Sequence, residues 1–204
     1  MHTFGHRELK KAKTKLECLS ALHIMSKNKS FKDIKAKDIA ITVGITEMTF
    51  FNYFKTKDEL LLYYMRIWSL DQMAIQIEKP LKGYDAIRRI FIHTANEIKT
   101  YPTIMLSLIG YIASVHEKPT VFTVEPAEIY LRYPNLVVLS NSDILNFDQL
   151  ILGHLQDIKL KSSKQETLNL LRSAFYGDAI NAHITAQDIQ ELYELSLKTI
   201  FKAE

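Results

Sequence analysis

The chain has 204 residues, 47% of them apolar and 24% charged, a globular composition that excludes a disordered polymer. Six glycines, five prolines and a single cysteine exclude an internal disulfide framework and a cysteine-built zinc site, and favour long helices with few joints over a β-rich fold. The net charge is only +3, yet residues 1–66 carry 13 Lys and Arg against 7 Asp and Glu, and residues 67–204 carry 13 against 16, so a basic front end suited to a polyanion precedes a slightly acidic body.

The basic N-terminal stretch with Arg7, Lys10, Lys11, Lys13 and Lys15 has no apolar segment behind it, unlike a secretory signal. The most apolar run, residues 104–115, is about half of what a membrane span needs. A soluble, cytoplasmic, all-α protein with no membrane partner is expected. Leu9, Ala12, Leu16, Leu19 and Leu22 recur at three- and four-residue steps and predict a helix over 8–26. Short helices are predicted over 35–43 and 47–53, with Gly44 between them and Thr46 as cap. Thr56-Lys57-Asp58-Glu59 reads as a capping box opening a helix that runs to about residue 78, before Pro80. Helices over 84–99 and 103–116 flank Pro102. Residues 117–140, with three prolines and the β-branched run 120–124, read as irregular apart from a short helix near 127–132. A helix over 143–158 follows. Ser163-Lys164-Gln165-Glu166 caps another that ends near 184, and Thr185-Ala186-Gln187-Asp188 caps a last one ending near 202.

The stretch from Ala36 to Phe54 is two short helices joined by a tight turn. Ala40 is small enough for a second helix to cross close to it. Gly44, four residues on, can take the left-handed conformation that ends the first helix sharply. Ile39, Val43, Ile45, Phe50 and Phe54 supply buried contacts, and Thr46 caps the second helix. This is the helix-turn-helix layout, in which the second helix enters the DNA major groove by its N-terminal end. Cys18, beside Leu19 in the first helix, is expected to be an inert, partly buried thiol.

The sequence Thr46-Glu47-Met48-Thr49-Phe50-Phe51-Asn52-Tyr53-Phe54-Lys55-Thr56-Lys57-Asp58-Glu59-Leu60-Leu61 resembles the signature of the TetR family of transcriptional regulators. The close match covers about residues 31–62. The resemblance implies an N-terminal helix-turn-helix head over 1–58 and a larger helical regulatory and dimerisation region over 59–204. It implies DNA contacts from Lys35, Lys37, Thr46, Glu47, Met48, Thr49, Phe51, Asn52, Tyr53 and Lys57. Thr49 and Tyr53 match phosphate-bonding positions, with simple helix packing the alternative for Tyr53. Lys57 matches a lysine that meets the DNA backbone beside a helix N-terminus. Phe51 stands where the family most often has Tyr; the lost hydroxyl points to apolar contact, such as with a thymine methyl. Glu47 either accepts from cytosine N4 or only favours the helix dipole. The basic segment from Arg7 to Lys15 either reaches the adjacent groove or only contributes to the field.

The resemblance further implies a homodimer on two-fold related half-sites of double-stranded DNA, formed through the last two helices. Their apolar content supports this: the predicted helix to residue 184 is apolar on more than one side, and its small residues allow close approach. Leu171, Ala174, Gly177, Asp178, Asn181, Leu192 and Leu195 are the candidate dimer residues. A pocket for a hydrophobic or amphipathic small-molecule inducer is expected among Trp68, Phe91, His93, Met105, Leu108, Tyr111, Phe147 and Phe175, with Asn96, His154 and Asn181 as further polar anchors and no Lys or Arg inside to demand an acid. Plain core is the alternative reading of such an aromatic and Met stripe. His93 and Glu97 are four apart on one helix, as metal ligands can be, but no second pair accompanies them. No phosphate-binding Gly loop or nucleophile elbow occurs, so no catalytic residue, metal or cofactor is implied. The expected function is a DNA-binding regulator, a repressor released by an inducer. The alternatives are a dimer of the same fold without an inducer, or a helical enzyme or carrier with a vestigial head.

Overall fold

The computed structural model describes residues 4–116, 122–136 and 144–201. These form ten α-helices, with two short 3-10 turns and no β-strand among the described residues. The helices are α1 (His6–Ser26), α2 (Ala36–Val43), α3 (Glu47–Tyr53), α4 (Glu59–Glu78), α5 (Gly83–Thr100), α6 (Pro102–Ser114), α7 (Pro126–Arg132), α8 (Phe147–Leu155), α9 (Lys164–Thr185) and α10 (Ile189–Phe201). The all-α expectation holds. No helix among the described residues is long and apolar enough to cross a membrane.

Local chemistry sets most helix ends. Gly44 adopts φ 76° and ψ 32°, and the Ile45 amide donates to the Ala40 carbonyl across 2.9 Å, so α2 closes in a Schellman-type turn. The Thr46 hydroxyl accepts from the Thr49 amide at 3.1 Å and opens α3. Ser163 and Glu166 form the reciprocal box at the start of α9. At α4 the box is displaced. The Thr56 hydroxyl accepts from the Glu59 amide, but Glu59 reaches back to the Lys55 amide, and the helix begins at Glu59. α8 begins at Phe147, capped by Asn146, rather than at 143, which lies outside the described residues, as do 120 and 121 of the β-branched run.

The buried apolar residues form one continuous cluster from Cys18 in α1 to Leu197 in α10. In and just after the first three helices Leu22, Ile39, Phe50 and Phe54 are fully buried. α1 packs on both α2 and α7, and α10 packs on α9 and α5. Burial of this apolar surface is the main stabilising term. Tyr193 of α10 adds a bond from its hydroxyl to the Phe175 carbonyl of α9 at 2.7 Å. Cys18 is completely buried, and its thiol is pushed up to about 12, chiefly by burial, so it holds its proton and is inert.

Candidate nucleic-acid interface and ligand cavity

The αL turn at Gly44 and the cap at Thr46 set α3 across α2, with Phe50 turned inward. The opposite side of α3 is open: Glu47, Met48, Phe51 and Asn52 are all exposed, Met48 by 76% and Phe51 by 41%. Lys35 and Lys37 at the front of α2 and Lys55 just after α3 are also exposed, and none forms an ion pair among the described residues. Thr49 is half-buried, its hydroxyl 2.9 Å from that of Thr46. Tyr53 is half-buried in a groove shared with Lys11, Lys55 and Phe122. An exposed helix face, with exposed lysines that have no ion pair among the described residues on the neighbouring segments, can meet a polyanion in a groove.

Three lysines stand otherwise than the sequence implies. Lys57 is not turned outward. Its ammonium donates to the Phe31 carbonyl at 2.6 Å and the Ile34 carbonyl at 2.8 Å, and lies 4.3 Å from the centre of the Phe31 ring. It ties the 3-10 turn Phe31–Asp33 to the start of α4, and desolvation lowers its pKa. Lys15 is buried and bonds Glu128 Oε2 at 2.7 Å, while Lys11 bonds Glu125 Oε1 at 2.5 Å. Two of the five cations from Arg7 to Lys15 are therefore paired with Glu125 and Glu128, at the cap and first turn of α7, rather than offered to a ligand.

In the body a cavity of about 240 Å3 lies between α4, α6, α8 and α9. Trp68, Met105, Leu108, Phe147 and Phe175 line it, as the sequence suggests. Phe91, His93 and Tyr111 do not. Phe91 is packed behind Phe175 and Tyr193, with ring centres 5.3 and 5.0 Å away. His93 Nδ1 pairs with the Gln72 amide nitrogen at 2.8 Å, and the Tyr111 ring lies against the core outside the cavity lining. Asn96, His154 and Asn181 are also absent from the lining. The polar wall is instead Arg66, Ser69, Asn146 and Gln149. Arg66 corrects the expectation of a wall without cations. It is buried, and its guanidinium donates to the Ile144 carbonyl at 2.7 Å. A signal for it existed: Arg66 is the one charged residue between Leu60 and Leu70.

Two polar clusters, one buried and one part-buried, join α7 to its surroundings. Glu128 also accepts from the Tyr63 hydroxyl at 2.5 Å. Arg132 makes a two-pronged pair with Asp71, 2.6 Å on each arm, and Tyr133 adds a bond to the same carboxylate at 2.9 Å. Glu97 accepts from the Tyr64 hydroxyl at 2.8 Å, and burial raises its pKa. Among the described residues no three His, Cys, Asp or Glu side chains come together as a metal site.

At the end of the body, α9 and α10 leave a strip of their surface open. Leu170, Gly177, Ile180, Asn181 and Ile184 of α9 and Leu195 of α10 are exposed, and Ala174, Asp178 and Leu192 are half-buried. Leu171 is completely buried beneath them, so it packs within its own chain and cannot reach a second copy.

No protein-family model and no curated protein sequence matches the chain. Solved structures do. Thermus thermophilus FadR, described as a TetR family transcriptional repressor in complex with lauroyl-CoA, aligns with a TM-score of 0.60 over 91% of this chain and 92% of its own, at 15% identity. A TetR transcriptional regulator from Rhodococcus sp. RHA1 aligns over 91% and 96% at 15% identity, with a TM-score of 0.49. With ten helices among the described residues and the α2–Gly44–α3 turn, the chain has the fold of the TetR-family transcriptional regulators.

Proposed function

We propose that this protein is a homodimeric DNA-binding transcriptional regulator whose operator affinity responds to a small molecule held in the body. The observation that carries the reading is the open face of α3, together with exposed Lys35, Lys37 and Lys55 at the start of α2 and just after α3, on a chain with this fold. Residues 1–58 form the DNA-reading unit and residues 59–204 the regulatory and dimerising one. Two copies joined through the open strip of α9 and α10 would place two α3 helices on half-sites related by a two-fold axis. The cavity lies between α4, which follows the head directly, and α6, α8 and α9. A ligand that binds one setting of α4 better than another shifts the population of head spacings and so the DNA affinity. Repression relieved by an inducer is the sign we favour.

The aromatic wall suits a largely apolar ligand, and Arg66, Asn146 and Gln149 suit a polar end on it. FadR, a repressor solved with lauroyl-CoA, supports an amphipathic molecule of that general kind. Selection from a random duplex pool at moderate salt tests the first half of the proposal; no enriched sequence would end it. Trp68 tests the second. It is the only tryptophan in the chain and lines the cavity, so a bound ligand changes its emission. A ligand that shifts Trp68 emission should also release the selected duplex, and one that does so without affecting DNA would favour a regulator without inducer.

A further inference from the structure

The open face of α3 has a chemistry that selects among base pairs. α3 is Glu-Met-Thr-Phe-Phe-Asn-Tyr and contains no Lys or Arg. Met48, Phe51 and Asn52 fall within about 100° of arc on the helix, and all three are exposed. Phe50 behind them is fully buried, and its ring meets that of Phe51 at 5.4 Å and 86°, which steadies the Phe51 side chain in its outward position. The exposed cations of this part of the chain, Lys35, Lys37 and Lys55, stand outside α3. Exposed lysines outside the helix suit phosphates, and an exposed Met and Phe on a helix without cations suit methyl groups on a groove floor.

Resting on the regulator reading above, we propose that α3 reads A·T pairs through thymine methyl groups, with Met48 and Phe51 as the readers and Asn52 facing a neighbouring adenine. The thymine methyl is the one apolar group that the major groove displays, and asparagine pairs in two-pronged fashion with adenine N6 and N7. Guanine is read by Arg or Lys donating to O6 and N7, and α3 has neither. Glu47, the remaining exposed side chain of the helix, is acceptor-only when ionised, so it can pair with the amino groups of cytosine or adenine but not with the two acceptors of guanine. The half-site beneath α3 is therefore centred on A·T pairs and lacks a read guanine.

The test uses the full-length protein and the duplex selected from a random pool. Each thymine of the enriched half-site is replaced in turn by deoxyuridine, which removes only the methyl. Two positions should each weaken binding about fourfold, the value of one buried methyl-sized group. Placing 5-methylcytosine at a cytosine-substituted position should restore part of the loss. Met48→Ala and Phe51→Ala should each abolish sensitivity to deoxyuridine at one position and not the other; both side chains are exposed, so the variants fold, as helical circular dichroism verifies. Enriched half-sites with no conserved A·T pair beneath α3, or deoxyuridine duplexes bound as tightly as thymine ones, would overturn the methyl assignment while leaving the regulator reading intact. If no duplex is enriched at all, both fall together.

Discussion

Lys15 Nζ of α1 lies 2.7 Å from Glu128 Oε2 of α7, with side-chain exposures of 4% and 0%. The pair is completed by the Tyr63 hydroxyl on the other carboxylate oxygen and by the Glu125 amide, and the ammonium sits 4.8 Å from the Tyr63 ring centre. It binds α1 to the short helix α7. Removing one partner of such a pair leaves a buried charge without compensation, at a cost of about 3–5 kcal/mol. Glu128→Gln keeps an oxygen for Tyr63 and isolates the charge effect. We expect Glu128→Gln and Lys15→Met each to lower the urea midpoint strongly, and the double variant to recover a good part of the loss. A double-mutant cycle with coupling below about 0.5 kcal/mol would show that the two side chains act independently.

Lys57 offers a separate test of position against role. Because its ammonium already serves the Phe31 and Ile34 carbonyls, Lys57→Ala should lower the stability of the whole chain by about 1–3 kcal/mol. The dependence of DNA binding on salt should keep its slope. Lys35→Ala, which removes an exposed cation, should do the reverse, leaving the unfolding midpoint in place and reducing the slope by about one. An unchanged midpoint with a flattened slope for Lys57→Ala would show that the ammonium leaves those carbonyls for phosphate.

His23 makes stability depend on pH. Its ring stacks on Tyr101 at 4.4 Å and 13°, its Nε2 is buried with no hydrogen-bond partner among the described residues, and its pKa is lowered from 6.5 to about 4, first by burial and then by Arg132. The unfolded chain takes up this proton near 6.5 and the folded chain only near 4. The unfolded state thus binds more protons between those values, and stability falls as pH drops through that window. The contribution is complete above about pH 6.5 and exhausted below about 4. His23→Phe should remove about one proton's worth of slope from a plot of unfolding free energy against pH. A slope equal to that of the parent protein would show that His23 titrates normally.

The open strip on α9 and α10 predicts the assembly. Leu195 is 63% exposed, and a charge there faces the proposed second copy. Leu195→Glu should convert a dimer to a monomer in sedimentation equilibrium with little change in helical circular dichroism, and should weaken binding to a two-half-site duplex far more than to a single half-site. Leu171→Ala should act differently, lowering stability by about 2–5 kcal/mol through a core cavity, because that side chain is sealed within its own chain.

Features that depend on three to five neighbouring residues were readable from the sequence. Gly44, Thr46 and Ser163 end or open helices through bonds within that distance, and the four-residue spacing of Phe50 and Phe54 puts both on the buried side. The helix-turn-helix unit followed from the same local chemistry, while the cavity aromatics Trp68, Phe147 and Phe175 were expected from the family resemblance. Long flexible side chains did not. Lys57 finds its carbonyl 26 residues away and Lys15 its carboxylate 113 residues away, so whether a lysine faces phosphate or backbone is decided by which segment packs within its reach. The same holds for Arg66 inside the cavity wall and for Leu171, whose apolar character suits an interface and a core equally well. By itself the sequence determined the helices, the close of α2, the caps of α3 and α9 and the exposed face of α3; tertiary packing alone decided which charges stay free and which apolar residues stay open on the surface.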